Sequence, residues 1–167
     1  MESFLHGHLG KLPAPVFRLG LSASYRPGKD TVLRAAGWGV NTFFFYGFDS
    51  HMTGALRELL KRGRERYVVV TGAYNFIWWR QDFRRTLEKR LRQLGTDYLD
   101  AFLFLGVMKP EQFPAGLCEK LQSLREDGRV KAVGISVHDR KFAGRLAAEG
   151  ALDVLMVRYN AAHRGAE

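Results

Sequence analysis

The residues able to do chemistry fall into a few small groups. His6 and His8 flank Gly7 and could hold a metal ion, but a stable site needs three or four ligands and no third stands near them. That stretch reads as a disordered N-terminus. Ser136 and His138 follow an apolar run, the serine placed to meet a ligand and the histidine reading as a loop or capping residue ahead of Asp139. His163 and Arg164, near the last residue, could bind a phosphate, against which stands simple solvation of a chain end. Arg80, Arg84, Arg85, Lys89, Arg90 and Arg92 crowd one segment directly after Tyr74-Asn75-Phe76-Ile77-Trp78-Trp79. Rings beside arginines can stack single-stranded bases, whereas a basic helix face turned to water is the ordinary alternative.

The bulk properties limit what these groups serve. The chain has 167 residues, enough for one domain, and is 46% apolar and 13% aromatic, so it can bury a core. A formal charge of +9, from 26 Lys+Arg against 17 Asp+Glu, favours polyanions: nucleic acid, phosphorylated cofactors or an anionic surface. Cys118 is the single cysteine, which rules out an intrachain disulfide and fits a reducing compartment. Met1 to Pro15 holds no signal-peptide-like run, and the apolar stretches Val68 to Val70 and Ala101 to Val107 are too short to span a bilayer. The expectation is a cytoplasmic protein with no membrane partner.

The elements that must position these residues recur with a clear rhythm. Apolar runs stand at Val16 to Leu21, Val40 to Tyr46, Tyr67 to Thr71, Leu99 to Leu105, Val130 to Ile135 and Leu152 to Val157. None alternates apolar with polar, as expected of parallel strands covered on both faces. Between them lie amphipathic helices: Leu56, Leu59 and Leu60 mark one, Phe83, Leu87, Leu91 and Leu94 another, Phe113, Leu117, Leu121 and Leu124 repeat that spacing, and Leu146 marks the last. Strand-helix repeats of this length suggest a doubly wound sheet or a β/α barrel. Leu19-Gly20-Leu21-Ser22 is not a Gly-x-Gly-x-x-Gly turn and no Walker sequence occurs, which favours the barrel. The fold class is therefore α/β, an incomplete (β/α)8 TIM-type barrel with six of eight strands, with residues 1–15 as an extension and 16–167 as the partial barrel. The chain reads as truncated, and its open sheet edges offer self-association. Ser136 and His138 then face the barrel mouth, and the Tyr74 to Trp79 loop would cap it.

Several segments, in order, resemble the aldo-keto reductase family. Gly95-Thr96-Asp97-Tyr98-Leu99-Asp100 is similar to the family's LGTDYIDL, Asp127 to Ser136 to its EGKVRAIGVS, and Asp153 to Asn160 to its DVVQxxYN. The ending Arg158 to Glu167, RYNAAHRGAE, resembles a divergent subgroup. The resemblance implies an eight-stranded barrel that reduces carbonyls with NADPH or NADH. Its site would hold a tyrosine acid, a lysine that tunes it, an aspartate paired to the lysine and a histidine that orients the carbonyl. A phenol ionises near about 10 and needs such a cation to give up its proton near neutral pH. Here Thr71-Gly72 stands for Thr-Lys and Leu105 for the histidine. The second apolar run, about three residues shorter than the pattern, lacks the Asp-Thr/Ser-Ala. Tyr46 is the survivor of the four across that gap, with strand packing as its other reading. Ser136 matches the serine that holds the nicotinamide amide, but Val137 replaces the following asparagine and Met156 the glutamine. The expectation is an NAD(P)-linked oxidoreductase family member with weak or lost activity, taking NADP(H) by resemblance only, and a small-molecule ligand at the barrel mouth. The alternative is a non-catalytic scaffold for a ligand, nucleic acid or a partner, nucleic acid being the less expected of these.

Overall fold

Strands covered on both faces dominate the architecture. The computed structural model describes residues 4–10 and 12–162, apart from the side chain of Trp78. A short antiparallel pair, β1 (His6–Gly7) with β2 (Val16–Phe17), precedes six parallel strands: β3 (Leu21–Ser22), β4 (Thr42–Phe44), β5 (Val68–Tyr74), β6 (Leu99–Val107), β7 (Val130–Val137) and β8 (Val154–Met156). These pair strictly in chain order, leaving β3 and β8 as edges. Helices α1 (Lys29–Gly37), α2 (Ser50–Arg62), α3 (Phe83–Leu94), α4 (Ala115–Gln122) and α5 (Arg140–Glu149) occupy the successive gaps. The result is a curled half-barrel, an incomplete (β/α)8 barrel. Among the described residues no helix is long and apolar enough to cross a membrane.

Period-two geometry sorts the strand residues into two apolar layers. Val69, Phe102, Phe104, Val133 and Ile135 pack outward against Leu56, Leu59, Leu87, Leu91, Leu121 and Leu146 of the helices. Val68, Val70, Ala101, Leu103, Leu105 and Ala132 face inward, where Leu9, Leu12 and Val16 from the N-terminal hairpin join them. Leu103 is in register with Gly72 on one side and Gly134 on the other. A Cβ at Gly72 would overlap the Leu103 carbonyl, and one at Gly134 the Val154 carbonyl, so the strands close in only because both positions are bare.

Four expectations are corrected. The first apolar run is divided: Val16–Phe17 belongs to the hairpin, held by Arg18 N–H on the Leu5 carbonyl and Phe17 N–H on Asn41 Oδ1, and the barrel begins at Leu21. The expected disorder is absent from residues 4–10, where His6 lies edge-on to Phe17 at 5.5 Å. The helix carrying Phe113 to Leu124 is shorter than the spacing suggested, because Pro114 ends its start and Ser123–Arg125 tightens into a 3-10 turn, although all four apolar residues remain buried. Arg90 lies seven residues after Phe83, two helical turns on, and is buried with the stripe instead of facing water.

Two aspartates pin strand starts by the same device. Asp100 Oδ2 accepts the Val69 N–H at 2.9 Å and an Arg64 Nη2 at 2.7 Å, while its Oδ1 meets Lys131 Nζ at 3.1 Å. Asp153 Oδ2 accepts the Val133 N–H at 2.9 Å and pairs with Arg125 at 3.0 Å. Asp100→Ala leaves the mostly buried Arg64 without its counter-charge and is expected to lower unfolding free energy by about 3 kcal/mol in urea melts. Removing Asp127, which is near the surface, should cost under about 1 kcal/mol.

Candidate functional site

The C-terminal ends of the strands surround a cavity of about 770 Å³. Tyr46, just past β4, Ser136 near the end of β7 and Met156 at the end of β8 all line it, so three residues distant in sequence share one space. His138 lines it too, while the helix cap beside it is made by Asp139, whose Oδ1 accepts the Phe142 N–H. Ser24, Arg26, His51 and Tyr74 complete much of the wall. Of these, Tyr74 ends a strand that runs past the expected Thr71 and shares the face of Gly72; the others come from loops and a helix start that no periodicity marks. Arg26 holds a left-handed φ of +48°, uncommon for a side chain with a Cβ. His163 and Arg164, candidates for a phosphate, lie outside the described residues. Among the described residues no three His, Cys, Asp or Glu side chains gather as a metal site.

The Tyr46 hydroxyl forms a 2.7 Å hydrogen bond with Ser24 Oγ, which in turn meets Ser22 Oγ at 2.8 Å. Rings surround the phenol. Phe44 stands edge-on at 4.8 Å, Phe48 stacks at 5.6 Å and Tyr74 at 6.0 Å, and Tyr74 continues the ladder to Phe76 at 5.2 Å. Leu105, buried, presents an alkyl group to the cavity, and the strand pairing slips between Phe104 and Val107 beside it. Bulges of this kind re-aim side chains at barrel rims. The Tyr74 to Trp79 segment does not fill the mouth as a cap would: Tyr74, at the end of β5, enters it, but Phe76 is 82% and Trp79 66% exposed. Asn75 anchors that loop by donating to the Gly106 carbonyl.

Behind the ladder sits the displaced cation of α3. The Arg90 Nη1 donates to Gln93 Oε1 at 2.9 Å, Gln93 Nε2 donates to the Gly47 carbonyl at 2.8 Å, and Arg90 Nε is buried with no partner among the described residues. Burial pulls the guanidinium below its ordinary value, opposed by Tyr74. Burial, then the neighbouring Tyr46, pushes the Tyr74 phenol up to about 12, with Arg90 pulling the other way. A neutral phenol there is a hydrogen-bond donor and an apolar surface, not an acid at neutral pH.

The profile of the aldo/keto reductase family matches residues 29–167. No curated protein matches in sequence. Among solved structures, one assigned as an aldo-keto reductase from Pseudomonas aeruginosa is 24% identical with a TM-score of 0.77, over 98% of this chain and 70% of that one. The holo form of an aldo-keto reductase from Bacillus halodurans is 17% identical with a TM-score of 0.74, over 92% and 57%. An aldo/keto reductase from Klebsiella pneumoniae in complex with NADP and acetate is 24% identical with a TM-score of 0.70, over 91% and 58%. At these identities the likeness is one of fold.

Two outcomes follow from the packing around Tyr74 and Arg90. Tyr74 ionises more readily in the unfolded chain, near about 10, than in the folded one, at about 12. Its contribution to stability is therefore full below pH about 10 and fades as pH rises toward about 12; Tyr74→Phe should flatten that part of the stability curve and remove the last phenolate absorbance step. Gly47 has a φ of +89°, and a Cβ there would overlap the Arg90 guanidinium. Gly47→Ala should cost about 1–3 kcal/mol in thermal or urea unfolding, partly relieved by Arg90→Ala in a double-mutant cycle.

Proposed function

We propose, from the premise that the chain belongs to the aldo/keto reductase family, that it is a divergent member which keeps a ligand-binding barrel mouth while its carbonyl reduction is weak or lost. The observation that carries this is the surroundings of Tyr46: its hydroxyl is bonded to Ser24 and its ring is packed by aromatic rings. The positions that the family resemblance gives to the tuning lysine and the orienting histidine hold Gly72 and Leu105. A phenol whose hydroxyl is bonded to a serine and not to a cation forfeits much of the roughly 10²–10⁴-fold that positioned acid catalysis supplies. Gly72 could not regain a side chain by substitution alone, because the Leu103 carbonyl stands where a Cβ would go.

NADP(H) is the cofactor class that the family resemblance suggests, and the mouth suits its nicotinamide end. The Ser136 hydroxyl, half-buried on the wall, would bind a carboxamide, and the rings of Tyr46 and Tyr74 offer flat apolar surface to a planar ring. Met156 can fill space beside it but cannot replace the paired hydrogen bonds of an amide. Reduced nicotinamide, when bound, supplies a hydride to a carbonyl carbon. Tyr46 would then give the proton to the oxygen, with Ser24 holding the phenol in place. A cytoplasmic setting accords with the single cysteine, and the unpaired edges of β3 and β8 suit self-association.

A second reading, a non-catalytic binding scaffold, is favoured by Phe48 and Phe76, 74% and 82% exposed at the end of the ring ladder. The basic face of α3 supports nucleic acid less, because Arg84 lies near Glu126 and Asp127 and Arg92 near Glu88. The two readings part in one assay series. Titration with NADPH, followed by nicotinamide fluorescence, should show binding, while aldehyde turnover should not differ between the native chain and Tyr46→Phe. Turnover abolished by Tyr46→Phe would overturn the loss of activity. No NADPH binding, with salt-sensitive retention on heparin removed by reversing Arg84 and Arg85, would favour the scaffold.

A further inference from the structure

Several cations on this chain face carboxylates. Arg64 and Lys131 share Asp100, Arg125 meets Asp153, Arg129 meets Asp127, and Lys29 meets Glu58. A recess of about 390 Å³ on the barrel rim gathers others that do not. Its wall is His138, Asp139, Arg140, Lys141 and Arg158, three permanent cations against one carboxylate. Asp139 is engaged already, its Oδ1 accepting the Phe142 N–H at 2.9 Å as the cap of α5. Among the described residues, no carboxylate forms an ion pair with Arg140, Lys141 or Arg158.

Arg140 and Lys141 open α5 after β7, whereas Arg158 follows β8, so two successive strand-helix units bring their cations to one place. Like charges gathered without a counter-ion repel, and the arrangement is relieved when an anion enters. Guanidinium groups also match the oxygens of phosphate or carboxylate with paired hydrogen bonds. His138 lines this recess and the 770 Å³ mouth cavity alike, so the two spaces meet at one residue.

We propose that this recess is an oxyanion subsite, and that the ligand of the barrel mouth is a small molecule carrying a phosphate or carboxylate that seats among Arg140, Lys141 and Arg158. The uncharged part of that molecule lies beside Ser136 and Tyr46. This rests on the mouth being a ligand site. The anion comes either from a cofactor phosphate or from an acidic substrate, and one titration series separates them.

The test uses the full chain and calorimetric titration with glycerol 3-phosphate, glycerol and NADP⁺. Saturable binding of glycerol 3-phosphate is expected where glycerol shows none, weakening as salt rises. Arg158→Glu and Lys141→Glu should each weaken it at least about tenfold, and Arg57→Glu, an equal charge change on exposed α2, should leave it unaltered. If Arg158→Glu weakens NADP⁺ as well, the cofactor supplies the anion; if it weakens glycerol 3-phosphate alone, the substrate does. An equal loss in Arg57→Glu would reduce the effect to net charge and overturn the subsite. NADP⁺ binding indifferent to Arg158, with no glycerol 3-phosphate binding, would sink the subsite while leaving the mouth as a ligand site. Failure of both ligands to bind would remove the two readings together.

Discussion

Burial of the strands on both faces is the constraint from which the rest of the structure proceeds. Along β5, Val68 and Val70 press into the barrel interior while Val69 and Ala73 press into the helix layer. No position in the middle of such a strand can hold an exposed polar group without losing packing on one side or the other. Reactive groups are therefore driven to the C-terminal ends, where the side chains meet open space. Tyr46, Ser136, Met156 and His138 gather there for that reason. The same constraint acts on Gly72: with β6 drawn in close, the backbone of Leu103 takes the volume of any side chain. Packing and chemistry are thus coupled at that level, since the close approach that seals the interior also removes room for a cation on β5.

Charge is arranged in two different ways. Toward the strand starts, Asp100 and Asp153 each accept a backbone N–H from the preceding strand and hold an arginine, which ties neighbouring units together. At the strand ends the cations are less matched. Arg90 is buried beneath the Gly47 turn with Gln93 as its hydrogen-bond partner and Nε unpartnered among the described residues, and Arg140, Lys141 and Arg158 share a recess. A buried guanidinium of this kind tolerates little change around it, because its desolvation is offset only by the contacts it has. The aromatic ladder above Arg90 supplies an apolar floor to the mouth, and burial there pushes the Tyr74 phenol up to about 12.

The sequence alone determined the strand-helix repeat, the two-sided burial and the helix faces, since these depend on local periodicity. Phe83, Leu87, Leu91 and Leu94 lie where their spacing put them. The family relation was also legible, in matched segments such as Gly95 to Asp100 and Asp127 to Ser136. Arg90, seven residues from Phe83, shares the position of the apolar stripe, and its burial follows that position and not its charge. What only the tertiary structure decided depends on contacts between residues far apart: that Ser24 is the Tyr46 partner, that Tyr74 enters the mouth while Phe76 turns to solvent, that the N-terminal hairpin joins the barrel interior, and that Arg158 meets Arg140 and Lys141. Periodicity fixes which face of an element is apolar. The partner across a cavity is set by how strands register and twist, which no window along the chain contains.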